Sequence, residues 1–326
     1  MCRVGMSIGV DLGGTKILAG IVTDDGEVLS TARRPTPRHD ATDVIDLVAE
    51  VVNELVAGTT ETLEGVGLGV AGLVDADRSR VYFAPNLKWS QVPVRALLEA
   101  ATGLPVVVEN DGNVAAWGEF RFGAGRDANG LTLVTVGTGI GGGIVVNGAL
   151  FRGAHGVAGE IGHINAVPDG RPCGCGRNGC LEQYASGNAL VREARLLAAD
   201  RRSEAGVLLA LGDGTPEGVQ GVHVTQAAKA GDPIATEAFA ITGTWLGRGL
   251  ADLAAVLDPE LFVIGGGVSD AGDLLLASAR QTLADKLIGQ QNRPAPQVVA
   301  AELTNNAGLV GAADLARHRQ RASGPT

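Results

Sequence analysis

The 326 residues carry 26 lysines and arginines against 36 aspartates and glutamates. The resulting net charge of −10 excludes nucleic-acid binding through a general basic surface. With 45% hydrophobic residues, 49 glycines and 3% aromatics, the composition is that of a glycine-loop-rich α/β protein long enough for two domains. No apolar run approaches the roughly 20 residues that cross a bilayer, so no membrane partner is expected. The N-terminus has one arginine and lacks a signal peptide's apolar stretch. Three of the four cysteines fall in one cluster, which points to a reducing cytoplasm. Cys2 stands apart, ahead of a second candidate start at Met6.

The N-terminal segment reads as a three-stranded antiparallel meander. Its strands are Ser7–Asp11, Ile17–Thr23 and Glu27–Arg33, the last two joined by Asp24-Asp25-Gly26, a strong hairpin signal. A loop with prolines, Pro35–Asp40, leads to a helix over Thr42–Val56, apolar at Val44, Ile45, Val48, Val51, Val52 and Leu55. Gly65–Val70 is a buried strand, Val94–Ala101 a helix, Pro105–Glu109 a strand and Gly112–Phe120 a helix. That alternation predicts a sheet covered by helices. Leu131–Gly137 opens a second meander, LTLVTVGTGIGGGIVVNG, with the same strand–glycine turn–strand form as the first. The sequence thus predicts a degenerate internal duplication, with a nucleotide cleft made by two such halves. Further on, Asn188–Ala199 is helical, and the polar, glycine-rich Arg202–Gly221 reads as a mobile insertion. Ile234–Leu257 and Ala271–Leu287 are helices, Glu260–Ile264 and Gln297–Ala300 strands, and Gly308–Arg317 a last helix before a disordered tail, Arg319–Thr326.

Three glycine clusters are candidates for phosphate chemistry. In Asp11–Lys16, DLGGTK, Gly13 and Gly14 permit positive φ, so successive amides could form an anion nest, with Thr15 adding a hydroxyl and Lys16 a charge. A Walker loop is excluded: Thr15-Lys16 reverses the required order and a strand follows where a helix should begin. Alone the segment reads more readily as an ordinary hairpin turn. The equivalent turn at Gly137–Gly143, with Thr138, Gly139 and Gly141, favours two turns holding a polyphosphate from both sides. The third cluster, Gly265, Gly266 and Gly267, lies between a strand and a helix, but Asp270 stands where a dinucleotide fingerprint needs its third glycine. A structural turn there remains open.

Glu109-Asn110-Asp111-Gly112-Asn113 ends a strand and opens a helix. Asn and Asp are preferred helix caps, and a carboxylate at a strand end beside a cleft also serves as a general base.

The densest chemistry lies in residues 159–182. Cys173, Cys175 and Cys180 have metal-site spacing and His163 completes a Cys₃His set, a four-coordinate structural zinc arrangement. Gly174, Gly176 and Gly179 would let the backbone wrap the ion. The alternative is a disulfide, for which Cys173 and Cys175 are too close. Glu160 and Glu182 flank the loop.

The pattern G-H-x₉-C-x-C-G-x₂-G-C-x-E from Gly162 to Glu182 resembles the signature of the ROK family of sugar kinases and sugar-responsive repressors. The resemblance extends over nearly the whole chain, with the phosphate, sugar, zinc and adenosine motifs in family order. It implies a two-domain, duplicated ribonuclease H-like fold of the actin-like ATPase type. The small domain would comprise residues 1–111 plus about 305–318, and the large one 112–304. It implies ATP-dependent phosphorylation of glucose at its 6-hydroxyl, with Asp111 as base and Asn110, Asp111, Glu160, His163 and Glu182 binding the sugar. Asp11 would lie near the magnesium that accompanies ATP, the two glycine turns would hold the phosphates, and Gly265–Gly267 would pack on the adenosine. His163 would bind zinc through one ring nitrogen and offer the other to a sugar hydroxyl. A homodimer or homotetramer is implied as well. The alternatives are a sibling kinase for fructose, mannose or an N-acetylhexosamine, a polyphosphate-using glucokinase, or a sugar-responsive regulator. The regulator would need a helix-turn-helix ahead of the first strand, for which the sequence leaves no room.

Overall fold

The computed structural model describes residues 5–37 and 41–322. Cys2, the end of the Pro35–Asp40 loop and residues 323–326 lie outside them. By packing, the chain forms two compact units: Met1–Leu133, Gly143–Gly159 and Glu302–Thr326 in one, Val134–Gly142 and Glu160–Ala301 in the other.

The first unit begins with β1 (Met6–Leu12), β2 (Lys16–Thr23) and β3 (Val28–Pro35), an antiparallel meander as predicted. Helix α1 (Ala41–Ala57) buries all six predicted apolar positions. Strand β4 (Leu63–Val70) pairs parallel to β1. Next comes a small sheet, β5 (Leu73–Val74), β6 (Val81–Ala84) and β7 (Trp89–Val92), which the sequence did not reveal because its strands have two to four residues. Helix α2 (Val94–Thr102) leads to β8 (Val106–Asn110), parallel to β4, and then to α3 (Asp111–Phe122). The main sheet order is β3-β2-β1-β4-β8. Its one face carries the apolar core shared with α1 and α2.

Strands β9 (Leu131–Val136), β10 (Ile140–Val146) and β11 (Ala149–Leu150) form the second meander. The second unit continues with α4 (Glu182–Ala185), α5 (Gly187–Asp200), α6 (Gly206–Leu211), α7 (Gly221–Lys229) and α8 (Pro233–Leu257). Then follow β12 (Leu261–Gly265), α9 (Asp273–Lys286) and β13 (Gln297–Ala300). The second sheet runs β11-β10-β9-β12-β13, the same order as the first, with β12 and β13 parallel as β4 and β8 are. The internal duplication is therefore real, and the fold is the two-domain actin-like ATPase fold.

The expected mobile insertion at Arg202–Gly221 is a correction: it is folded. Ala205, Leu208 and Val219 are fully buried, and buried Asp232 accepts a 3.0 Å hydrogen bond from the Leu208 amide while capping α8 through the Ala235 amide. Its apolar run, Val207–Leu211, is a single short stretch between glycines, too short to show a helical period.

The last helix, α10 (Ala307–Ala322), runs five residues past its expected end and returns to the first unit. It lies on a glycine row of the sheet. A Cβ at Gly67 would fall 1.8 Å from the Ala312 carbonyl oxygen, so only glycine admits the helix at this distance. Likewise a Cβ at Gly311 would lie 1.8 Å from the Val114 oxygen, which lets α10 press on α3. This close packing groups α3 with the first unit, whereas the sequence division places residues from 112 onward in the second.

Candidate phosphoryl-transfer site and metal centre

In the first unit, β1 and β2 are joined by the DLGGTK turn. The Gly13 amide donates to the Lys16 carbonyl at 3.0 Å, and Thr36 Oγ1 donates to the Gly13 carbonyl at 2.7 Å. Neither Gly13 nor Gly14 has positive φ, so the predicted left-handed nest is a correction. Small size is what matters at Gly14, where a Cβ would sit 3.0 Å from that of Asn86. Asp11 is half-buried; burial pushes its carboxyl up, and the Lys16 charge opposes this.

Asn110 and Asp111 divide the tasks left open by the sequence. Asn110 is the cap of α3: its side-chain oxygen accepts from the Asn113 amide at 3.1 Å and its amide donates to the Gly72 carbonyl at 3.1 Å. Asp111 is exposed in the first helical turn, with Oδ1 3.0 Å from the Gly112 nitrogen. The Gly112 and Asn113 amides are held by these side chains, and the positive end of the helix dipole favours negative charge there.

Beneath this corner lies a network the sequence did not disclose. Glu109 is fully buried, and its carboxylate accepts from the Asn110 amide at 2.9 Å and from Asn113 Nδ2 at 3.0 Å. Its other oxygen pairs with Arg78 at 2.9 Å and Arg152 at 2.6 Å. Arg152 also donates to the Ala76 and Asp75 carbonyls at 2.7 and 2.8 Å. The only signal in the sequence was a glutamate ending an otherwise apolar strand.

In the second unit, the ligand atoms of His163, Cys173, Cys175 and Cys180 all lie within 4.8 Å of one another. Cys173 Sγ is 3.6 Å from His163 Nδ1, and Cys175 Sγ is 3.6 Å from Cys180 Sγ. The thiols are free, so no disulfide joins them. Metal–sulfur and metal–nitrogen bonds of about 2.3 and 2.0 Å give tetrahedral edges of about 3.8 Å (S–S) and about 3.5 Å (S–N). The two 3.6 Å separations match such edges, and the 4.8 Å bound on the whole set leaves at most about 1 Å of closure around a four-coordinate ion. Burial and the neighbouring thiols push Cys180 up to about 12, so a cation is needed to hold all three sulfurs as thiolates. Gly176 and Gly179 have positive φ, as the loop requires, and a Cβ at Gly179 would lie 1.7 Å from the Val167 oxygen. Gly174 has neither constraint, which corrects the expectation for it.

His163 turns Nδ1 to the sulfurs and Nε2 outward, 3.9 Å from Glu160. Glu160 is 44% exposed, yet partial burial, with the Glu182 charge, raises its carboxyl above the ordinary value. Glu182 begins α4; its Oε2 accepts from the Ile140 amide at 3.0 Å, and Oε1 lies 3.7 Å from Cys173 Sγ. The Gly137–Gly139 turn with exposed Thr138 is thus beside the metal loop. A Cβ at Gly141 would meet Thr135 Oγ1 at 2.7 Å. Gly265 ends β12, Gly266 has φ +86° and backs onto Val136, and Gly267 borders open space. Ser186 and Gly187 were missed. Ser186 caps α5 and the Gly187 amide donates to the Gly137 carbonyl at 2.7 Å, setting a helix N-terminus against the turn.

Glycine turns in equivalent places of a duplicated sheet, with a carboxylate in a helix's first turn, define a phosphoryl-transfer protein of the actin-like ATPase fold. Within that class the chain belongs to the ROK family, whose sequence model matches residues 7–319. It is 51% identical to a glucokinase of Streptomyces coelicolor, over 96% of this chain and 98% of that one. The crystal structure of a ROK family glucokinase from Streptomyces griseus, in complex with glucose and AMPPNP, is also 51% identical, with a TM-score of 0.87 over 96% of this chain and 100% of that one. A putative xylose repressor of a Caldicellulosiruptor species is 34% identical over 86% of this chain and 70% of the repressor.

Proposed function

We propose that this chain is an ATP-dependent glucokinase. The Asp111 carboxylate takes the proton of the glucose 6-hydroxyl, O6 bonds to the γ-phosphorus, and the bond from that phosphorus to the β,γ-bridging oxygen breaks, releasing ADP. The observation that carries this reading is the division of tasks at α3: Asn110 is the cap, which leaves Asp111 in the first turn for proton transfer. Asn110, Glu160, His163 and Glu182 bind sugar hydroxyls. The glycine turns, with Asp11, Thr15, Lys16, Thr138, Gly139 and Gly141, hold the phosphates, where catalysis of phosphoryl transfer chiefly acts. Gly265–Gly267 take the adenosine, and the open space at Gly267 supports that role.

The ion that His163, Cys173, Cys175 and Cys180 would hold is zinc, structural because all four positions are filled by protein. Magnesium bound with ATP supplies charge neutralisation on the phosphates, and the half-buried Asp11 carboxylate suits a water-mediated contact to it. A cluster of free thiols suits a reducing cytoplasm. The homodimer or homotetramer carried over from the family is checked by light scattering.

A panel of donors (ATP, polyphosphate) against sugars (glucose, fructose, mannose, N-acetylhexosamines) tests the reading. Glucose with ATP should give the highest kcat/KM and glucose 6-phosphate as product. A higher value for another pair would reassign the enzyme to a sibling activity, and no transfer at all would favour a regulator.

A further inference from the structure

The glycine turn at 137–139 is held from three sides, by Gly162 and Glu182 of the segment that carries the metal ligands and by Gly187 at the start of α5, all within the second unit. The Ile140 amide, at the exit of the turn, donates to Glu182 Oε2 at 3.0 Å. The Ile140 carbonyl is covered by Gly162, next to His163, where a Cβ would lie 2.3 Å from that oxygen. At the entrance, the Gly137 carbonyl accepts from the Gly187 amide at 2.7 Å. Glu182 fills the place of a side chain at 139: a Cβ on Gly139 would lie 2.1 Å from Glu182 Oε2 and 3.0 Å from its Cδ. Its other oxygen is 3.7 Å from Cys173 Sγ, so one carboxylate spans the metal cluster and the turn.

We infer that Glu182 is a positioning residue for the nucleotide: its carboxylate fixes the phosphate turn, so sugar and nucleotide affinities are coupled through this contact. This rests on Glu182 binding sugar and on residues 137–141 holding phosphate. With Oε2 committed to Ile140, the remaining lone pairs of the carboxylate meet the sugar. A sugar that orders the carboxylate thereby orders the turn, and the coupling is reciprocal. The glycine at 139 is required by this contact rather than by backbone conformation, since its φ is not positive.

The test is calorimetry with glucose and with AMPPNP, each titrated alone into the metal-loaded protein. Glu182→Ala should weaken AMPPNP binding in the absence of sugar by about tenfold or more, the loss of one charge-assisted hydrogen bond. Glu182→Gln, whose amide oxygen still accepts from Ile140, should restore most of it. Gly139→Ala, a change in the turn, should weaken glucose binding in the absence of nucleotide by displacing the carboxylate. In the double variant the two effects should be less than additive. Glu160→Ala, which removes a proposed sugar contact without touching the turn, should weaken glucose alone. If each of Glu182→Ala and Gly139→Ala affects only its own ligand, the coupling is refuted. Should the parent bind AMPPNP but no glucose while Glu182→Ala still loses AMPPNP affinity, the glucokinase reading fails and the positioning role stands. Circular dichroism and metal content establish that each variant is folded and loaded. If Glu182→Ala does not fold, Gly139→Ala and Glu182→Gln decide: parent-like glucose binding in Gly139→Ala overturns the inference.

Discussion

Replacing Glu109 by alanine removes the carboxylate that pairs with both Arg78 and Arg152. Glu109 is fully buried, and the side chains of Arg152 and Arg78 are 11% and 28% exposed. The variant also strands the Asn113 side-chain amide and the Asn110 backbone amide, which donate to Glu109 at 3.0 and 2.9 Å. Breaking a buried ion pair from one side costs about 3–5 kcal/mol, because the surviving charge stays desolvated. For a domain of this size, that lowers the melting temperature by roughly 6–20 °C. Glu109→Gln keeps the shape and one acceptor but turns an amide N–H₂ toward guanidinium donors, so it should recover only part of the loss. Because Asn110 and Asn113 set the first turn of α3, kcat should fall roughly ten- to hundredfold even where the variant is fully folded, the scale of a displacement near 1 Å. Differential scanning calorimetry with initial rates at 20 °C reads both quantities. A Glu109→Ala protein melting within two degrees of the parent would refute the hub, and unchanged kcat would separate it from Asp111.

Asp314 is 2% exposed and accepts from Trp117 Nε1 at 2.8 Å and Arg317 at 3.0 Å. Burial opposes its ionisation, but His318 and Arg317 overcome this and hold its carboxyl far below the usual range. Its stabilisation is present above the unfolded value, about pH 4, and is lost as pH falls through the lower folded value. Asp314→Asn should melt lower than the parent at pH 7, with the gap narrowing only below about pH 4; a gap independent of pH would contradict this. Cys175→Ser should release the zinc and lower both melting temperature and sugar affinity, because a structural metal contributes folding energy. Elemental analysis that finds the parent metal-free but fully active would contradict the metal assignment.

Much of this was legible because the relevant spacing is local. The hydrophobic stripe of α1, both meanders and the Cys₃His set each fit inside a few dozen residues, and the structure brings the four ligand atoms together. Long-range partners were not legible: nothing near Glu109 in the sequence points to Arg78, 31 residues away. Glycines were read correctly as special but for mixed reasons. Gly176, Gly179 and Gly266 need positive φ, whereas Gly139 is made necessary by a side chain 43 residues later, and Gly67 by a helix at the far end of the chain. No local pattern separates a conformational glycine from a steric one. The folding of residues 202–221 was hidden because Asp232, outside the segment, supplies the bond that anchors α6.

The most direct test of the kinase assignment is turnover of Asp111→Asn beside its glucose affinity. Asparagine keeps the size and hydrogen-bonding reach of the side chain while removing the proton acceptor, and the cap is untouched because Asn110 supplies it. The account predicts that kcat falls by roughly 10²–10⁴-fold, the contribution of a general base, while calorimetric glucose binding weakens far less. A folded Asp111→Asn protein that turns over within a few-fold of the parent would contradict it, and the base would have to be sought elsewhere.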